Sequence, residues 1–356
     1  MDQEIKIGVI GPLSHLMGKA LLNGVRLAAK EINQKGGILG LPIKLIERDD
    51  QGLPLVGKKA SLDLIEKEKV ISTIGFCQSA VFLESADIYQ ENQSPLIVSV
   101  AAGSMIDSKF KKEKNFIFRT SVSESVYAKC MVDYLQKNYV YKNIAIINDQ
   151  TVYGKSVYQD YINALKESSL VCVSHEEFYS VGQEISEILK KIKDKNPEVI
   201  ILGALSQDCE HIVEKMEDLG MSQLVVGTWT LGVVNFFSKI HYHSLLTPQT
   251  FIQKGHHPKG WAFVESYLKE FDIDSPSMEA PSASAQSYDA LKILAAAINQ
   301  AQSTKGDQIL FALENLSQSV EGAIKDYKMP FSQDNHQALG KESVFIAKII
   351  DGDIVY

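Results

Sequence analysis

Ser79 is the residue whose type and setting carry the most chemistry in this 356-residue chain. It follows a short apolar run at 70–74 and the tight loop Gly75-Phe76-Cys77-Gln78, and it precedes Val81, Leu83, Ala86, Ile88 and Tyr89 at helical spacing. The short β-branched run reads as a buried strand and the spacing after it as a helix. Ser79 then stands where a helix N-cap belongs. A hydroxyl beside the unpaired N–H groups and positive dipole end of a helix is a seat for a carboxylate. The same geometry serves a plain cap that only stabilises its helix, so both readings stay open. A second small-residue loop, 99–104, follows the next strand at 95–98, which sets two such loops side by side at adjacent strand ends.

Other chemical signals are weaker. His241, His243, His256 and His257 have no acid at a metal-ligand spacing and read as loop residues. Asp49-Asp50 lacks the alternating acids and distal Glu of a calcium loop and reads as a turn with Gly52 and Pro54. Lys109, Lys111, Lys112 and Lys114 read as a solvated loop. There is no nucleophile elbow, phosphate loop or dinucleotide fingerprint, since the glycine pair in GVIGPLS lacks the third glycine. No catalytic constellation emerges, and neither an enzyme nor a cofactor is expected.

The length suggests two domains, and 45% hydrophobic with 22% charged residues is an ordinary globular balance. A net charge of −8 argues against a general nucleic-acid binder. No apolar run approaches the ~20 residues of a membrane span. The N-terminus enters a strand at once, so the expectation is a cytoplasmic chain or a mature form whose leader has been removed. Cys77, Cys130, Cys172 and Cys209 are scattered and read as packed thiols, with a Cys130–Cys172 disulfide left open.

The elements that must position Ser79 alternate. Strands are expected at 5–10, 42–48, 70–74, 95–98 and 116–119, with helices at 19–34, 55–67 and 80–92 between them. Gly36-Gly37 stops the first helix in the left-handed manner. Strand, helix, strand at short loop lengths predicts a parallel doubly wound sheet. A second series follows, with helices at 121–138, 153–167, 182–194 and 206–219 and strands at 143–148, 170–178, 198–202 and 224–226. It repeats the first in architecture, so two similar lobes are expected. Beyond 246 come helices at 259–271, 281–301 and 307–316, a loose stretch at 274–284, and a closing strand pair, 343–350 and 354–356.

In IKIGVIGPLS, GKALLNGVRLAAKEINQKGGILG, IKLIERDDQG, PLIVSVAAGS, FIFRTSVSES, NDQTVYGKS and SAQSYDALKILAAAI the chain resembles the amino-acid type periplasmic-binding-protein family, the solute receptors of branched-chain amino-acid ABC importers. These stretches run in family order along nearly the whole chain. The resemblance implies an α/β fold of two Rossmann-like doubly wound lobes joined by a three-crossing hinge, with a ligand cleft between them. The lobes would be 1–120 plus 247–328, and 121–246 plus 329–356. It further implies a small carboxylate-bearing ligand, an amino acid or a related hydrophobic or aromatic acid, and the membrane subunits of an ABC permease as partners. Nucleic acid is not implied. The expected setting is periplasmic or extracellular, with or without a lipid anchor, and the expected state a monomer. The same module serving as the ligand sensor of a signalling or regulatory protein is the alternative.

Residue by residue, the resemblance implies ligand contacts at Ser79 with its neighbour Gln78, at the backbone of Ala101 and Ala102, and at Gly103. The family's loop ends in Thr, whose hydroxyl helps hold the ligand; this loop reads SVAAGS, so Ser104 could substitute from one position on. Tyr153 in TVYGKS matches the aromatic that reaches over from the second lobe, or else packs on its own helix. Leu16 and Met17 would form an apolar wall or merely pack their loop. In receptors of α-amino acids the loop at VVGTWTLG brings a carboxylate to the ligand's ammonium. Here Thr228 and Trp229 stand there and the nearest acid is Asp218, although Asp208 or Glu210 could supply the charge. A buried ammonium without a partner is costly. Trp229 suits a flat lid over an aromatic or aliphatic acid, so the ligand is expected to keep a carboxylate and not to need an ammonium.

Overall fold

The computed structural model describes residues 4–110, 114–179, 185–233, 242, 244–253, 258–273, 278–350 and 352–356. His241, His243, His256, His257, Lys111 and Lys112 lie outside the described residues. The chain divides into two compact units, Met1–Val122 with His256–Gly340, and Ser123–Gly255 with Lys341–Tyr356.

The first unit is built on five strands, β1 (Ile5–Gly11), β2 (Ile43–Asp49), β3 (Ser72–Gly75), β4 (Leu96–Val98) and β5 (Ile117–Arg119). Their order is β2-β1-β3-β4-β5 and every pairing is parallel. Ile7, Val9, Ile10, Ile74, Ile97 and Val98 are fully buried, as a sheet covered on both faces demands. Helices α2 (Pro54–Leu62) and α3 (Ser79–Glu91) cover one face through Ala60, Val81, Phe82, Ala86 and Tyr89. The other face takes α1 (Leu16–Gln34), α8 (Pro258–Glu270), α9 (Pro281–Ala301) and α10 (Gly306–Glu314). Helices α1 and α9 meet backbone to backbone at Gly24, where a Cβ would lie 2.2 Å from the Ser284 carbonyl oxygen. A short hairpin pairs Val320–Glu321 with Asp326–Tyr327. Residues 329–340, expected with the second lobe, pack here instead. Phe331 and His336 lie against the ring of Phe118 at 4.8 and 4.0 Å, and Arg119 N–H donates to the His336 carbonyl at 2.8 Å.

The second unit holds β6 (Asn143–Asp149), β7 (Val171–Phe178), β8 (Val199–Gly203), β9 (Leu224–Gly227), β10 (Leu245–Gln249), β13 (Phe345–Ile350) and β14 (Asp353–Val355), where β11 and β12 are the two hairpin strands above. The order is β14-β13-β10-β9-β8-β6-β7. Strands β7-β6-β8-β9-β10 are parallel and wound as in the first unit, while β13 and β14 add antiparallel. Strand alternation separates two cores. Ile144 and Ile146 face α4 (Glu124–Asn138) and α5 (Val152–Leu165), whereas Ala145 and Ile147 face α6 (Ile185–Asp194) and α7 (Ser206–Asp218). Strand β10 went unread in the sequence because Pro248 interrupts a five-residue run whose partner β13 lies about a hundred residues on. The four cysteines are free thiols.

Candidate functional site

In a sheet ordered 2-1-3-4-5 the winding reverses between β1 and β3, and ligands lie outside the carboxyl ends of the strands at that reversal. In the first unit the loops that leave β1, β3 and β4 carry Leu16, Met17, Gln78, Ser79 and 101–104. Asp49, at the end of β2, accepts the N–H groups of Leu13, Ser14 and Gln51 at 3.1, 3.2 and 2.8 Å. It is a turn residue, as expected, and among the described residues no group of three acids, histidines or cysteines could hold a metal. Lys109 pairs with Asp87 at 2.7 Å.

Ser79 differs from the expectation in one way that matters. It is the first helical residue of α3; the N-cap is Gln78, extended at φ −103° and ψ 131°, and makes no side-chain cap bond. The buried Ser79 hydroxyl therefore does not cap its own helix. Its Oγ accepts the Gly103 N–H at 3.2 Å, which leaves its own proton to give. A Cβ at position 103 would come within 2.8 Å of that Oγ, so glycine is what lets the amide approach the hydroxyl. The place expected to hold Thr is filled by a backbone donor. Ala101 N–H donates to the Phe76 carbonyl at 2.9 Å, and the Ala101 carbonyl accepts the Ser121 hydroxyl at 2.7 Å, so the Ala101 amide is already engaged within the fold. Ala102 is buried beside it, and Ser104 opens a 3-10 turn, Ser104–Phe110, half-buried. Leu16 and Met17 are half-buried at the start of α1. Gln78 Oε1 is buried with no partner among the described residues.

In the second unit the equivalent strand ends carry Tyr153, Ser206, Thr228 and Trp229. Thr151 caps α5 by accepting Gly154 N–H at 3.1 Å, which brings Tyr153 onto the first turn. Its hydroxyl donates to Glu124 Oε2 at 2.8 Å and also meets Thr228, so Tyr153 is tied into its own unit. Thr228 is fully buried, and its hydroxyl shares a hydrogen bond with Thr230 at 2.8 Å. Trp229 is 5% exposed; its carbonyl accepts the Gln249 amide at 2.7 Å, and its indole N–H has no partner among the described residues. Asp218 is exposed and paired with Lys215 at 2.7 Å. Asp208 lies in the first turn of α7, with its carboxyl pushed up by burial and then by Asp149.

Glu124 is the residue that sequence reasoning missed. It opens α4 and is fully buried. Burial pushes its carboxyl up to about 8, with Asp160 adding to the shift and the Tyr153 hydrogen bond opposing it. The signal was present: Glu124 shares the helical spacing of Tyr127, Ala128, Met131 and Leu135, the buried stripe of α4.

A family model described as periplasmic binding protein matches residues 4–353. The Leu/Ile/Val-binding protein homolog 3 of Brucella melitensis is 26% identical over 65% of this chain and 65% of its own length. An amino acid binding protein of Pseudomonas aeruginosa is 25% identical over 62% of this chain and 59% of its own. These alignments span just under two thirds of the curated relatives. Among solved structures, the branched-chain amino acid transporter substrate binding protein of Streptococcus pneumoniae, in complex with isoleucine, superposes with a TM-score of 0.85 at 19% identity over 99% of this chain and 98% of that one. A solute binding protein of an ABC transporter from Rhodopseudomonas palustris, in complex with 3,4-dihydroxy benzoic acid, gives 0.81 at 18% identity over 99% and 95%. At such identities the likeness is one of fold. The chain belongs to the periplasmic binding protein family.

Proposed function

We propose that this protein is the solute receptor of an ABC importer, a binding protein and not an enzyme, which takes a small carboxylate-bearing ligand and presents it to membrane permease subunits. The observation that carries the reading is the Ser79 corner. A buried hydroxyl, freed from capping duty and already accepting Gly103 N–H, opens an uncapped helix at the reversal point of a doubly wound sheet. A carboxylate there accepts the Ser79 proton and the first-turn amides of α3, and these charge-assisted bonds are the strong kind. Ala102, Gly103 and Ser104 line the same corner, while Leu16, Met17 and Gln78 flank it. The second unit then closes on the ligand by hinge motion, bringing Tyr153, Thr228 and Trp229. The relatives named for leucine, isoleucine and valine binding support an amino acid or a similar hydrophobic acid. The receptor works in the periplasm or outside the cell as a monomer. No helix among the described residues is long and apolar enough to cross a membrane.

A thermal-shift screen of amino acids, aromatic acids and short fatty acids tests the reading, because a ligand that binds only the folded state raises the melting temperature. At least one carboxylate should raise it in the wild type and not in Ser79→Ala. A screen in which no carboxylate shifts the wild type sinks the reading.

A further inference from the structure

We propose that Glu124, fixed by Tyr153, is the second unit's acceptor for an ammonium group on the bound solute, and that it sorts amino acids from their deaminated analogues. The proposal rests on the reading above that the chain binds a small carboxylate-bearing solute, and it names the other end of that solute.

Only half of this buried carboxyl is satisfied. Tyr153 donates to Oε2 at 2.8 Å, whereas Oε1 is buried with no partner among the described residues. A carboxyl oxygen buried without a partner costs free energy, and native folds keep few of them. A merely structural acid at the start of α4 would be better placed facing water, where the helix dipole favours it. This one faces inward.

Among the described residues its surroundings hold no cation. From α5 come Tyr153, Asp160 and Tyr161, and from the end of β9 comes Thr228 by way of the Tyr153 hydroxyl. Strands β10 and β13 and the turn Lys341–Ser343 also pack on α4, but the charges of Lys341 and Glu342 act on Cys130, two turns further along. Among the described residues Glu124 therefore has no positive partner, and burial keeps its proton on to about pH 8.

The location agrees. Tyr153 and Thr228 mark the carboxyl ends of β6 and β9, where a ligand of this winding lies. The loop after β9, Gly227-Thr228-Trp229-Thr230, has no acid of its own. Glu124 supplies from α4 the charge that this loop lacks. When an ammonium arrives, the carboxylic proton leaves to solvent and the carboxylate accepts an N–H of the ligand, which stays charged. No bond in the ligand is made or broken.

The test uses the intact chain, the twenty standard amino acids, and the deaminated analogue of each one that binds, for example L-leucine beside 4-methylpentanoate. Calorimetry at pH 7 in two buffers of different ionisation enthalpy gives affinity and proton release together. The expected result is an amino acid that binds the wild type with release of close to one proton per site. Glu124→Gln, which can still accept the Tyr153 hydrogen bond, should weaken that amino acid by about thirtyfold or more and abolish the release. The deaminated analogue should change by less than about threefold. Amino-acid binding to the wild type without proton release overturns the proposal even if the variant does not fold. So does a wild type that prefers the deaminated acids, although the carboxylate reading then stands. If no carboxylate binds at all, that reading falls and the proposal with it.

Discussion

The two units wind their five parallel strands in the same order and place opposite chemistry at the carboxyl ends of those strands. The first offers donors: the Ser79 hydroxyl, the Gly103 amide behind it and the opening turn of α3. The second offers acceptors and rings: Glu124 against Tyr153, Asp149 near Asp208, and a buried Trp229. Winding order decides where a ligand can sit, since it decides where neighbouring strands send their loops apart. The side chains at those ends decide which charge is welcome. Donors suit an anion and acids suit a cation.

The comparison breaks first, and by the largest margin, on pH. Glu124 in the second unit is pushed from an ordinary 4.5 up to about 8, mainly by burial. Between those values the folded unit holds a proton that the unfolded chain has released, so its stability falls as pH rises through the window. The slope is roughly 1.4 kcal/mol per pH unit until it flattens near pH 8, or about 2 kcal/mol from pH 6 to 8. In the first unit Asp50 and Asp289 are raised only to about 6, again by burial first, so most of its loss has occurred by pH 6 and roughly a few tenths of a kcal/mol per group remain above it. The sequence provides a reporter for each unit, Trp229 in the second and Trp261 in the first. Denaturant unfolding of the two single-tryptophan variants at pH 6 and pH 8 should move the Trp229 midpoint and leave the Trp261 midpoint nearly still. Glu124→Gln should flatten the difference.

A smaller effect separates the units by packing. Gly24→Ala forces α1 off α9, because the new Cβ meets the Ser284 carbonyl oxygen at 2.2 Å. It should cost the first unit about 2 kcal/mol, read at Trp261, with no change at Trp229. Next, Ser79→Ala should weaken a bound carboxylate about tenfold, and by the same factor for an amino acid and its deaminated analogue, since both share the anchored end. Equal binding by the variant would remove Ser79 from the site. The smallest effect concerns Trp229. Its indole N–H is a buried donor without a partner among the described residues. Trp229→Phe should therefore leave the unliganded second unit unchanged or up to about 1 kcal/mol more stable by circular dichroism. A loss of several kcal/mol would mean that the ring serves mainly as core.

The alternation of short apolar runs with helical spacings reads directly from the chain, because each strand or helix signals its own period. Strand β10 escaped because Thr247, Pro248 and Gln249 have no strand period and are held by β13, while Leu245 and Leu246 also pair with β9, both strands lying elsewhere in the sequence. At the site, Ser79 was visible as a hydroxyl at a helix start, but its freedom from capping depends on Gln78 taking the extended backbone and on Gly103 standing close, neither of which a sequence displays. Glu124 stands in a first helical turn, where the dipole favours an exposed acid, so its type and place point to the surface. Its spacing with Tyr127, Met131 and Leu135 marked it as inward, and only packing shows that α5 lies across it.

The central claim is that the ligand's carboxylate, held at the Ser79 corner, anchors binding. It is tested most directly by titrating the wild type with leucine, or whichever amino acid the screen selects, and with the amine that keeps the side chain and ammonium but lacks the carboxylate, here 3-methylbutylamine. The account predicts heat of binding from the amino acid and none from the amine at the same concentration. An amine that binds as tightly as its amino acid would contradict it.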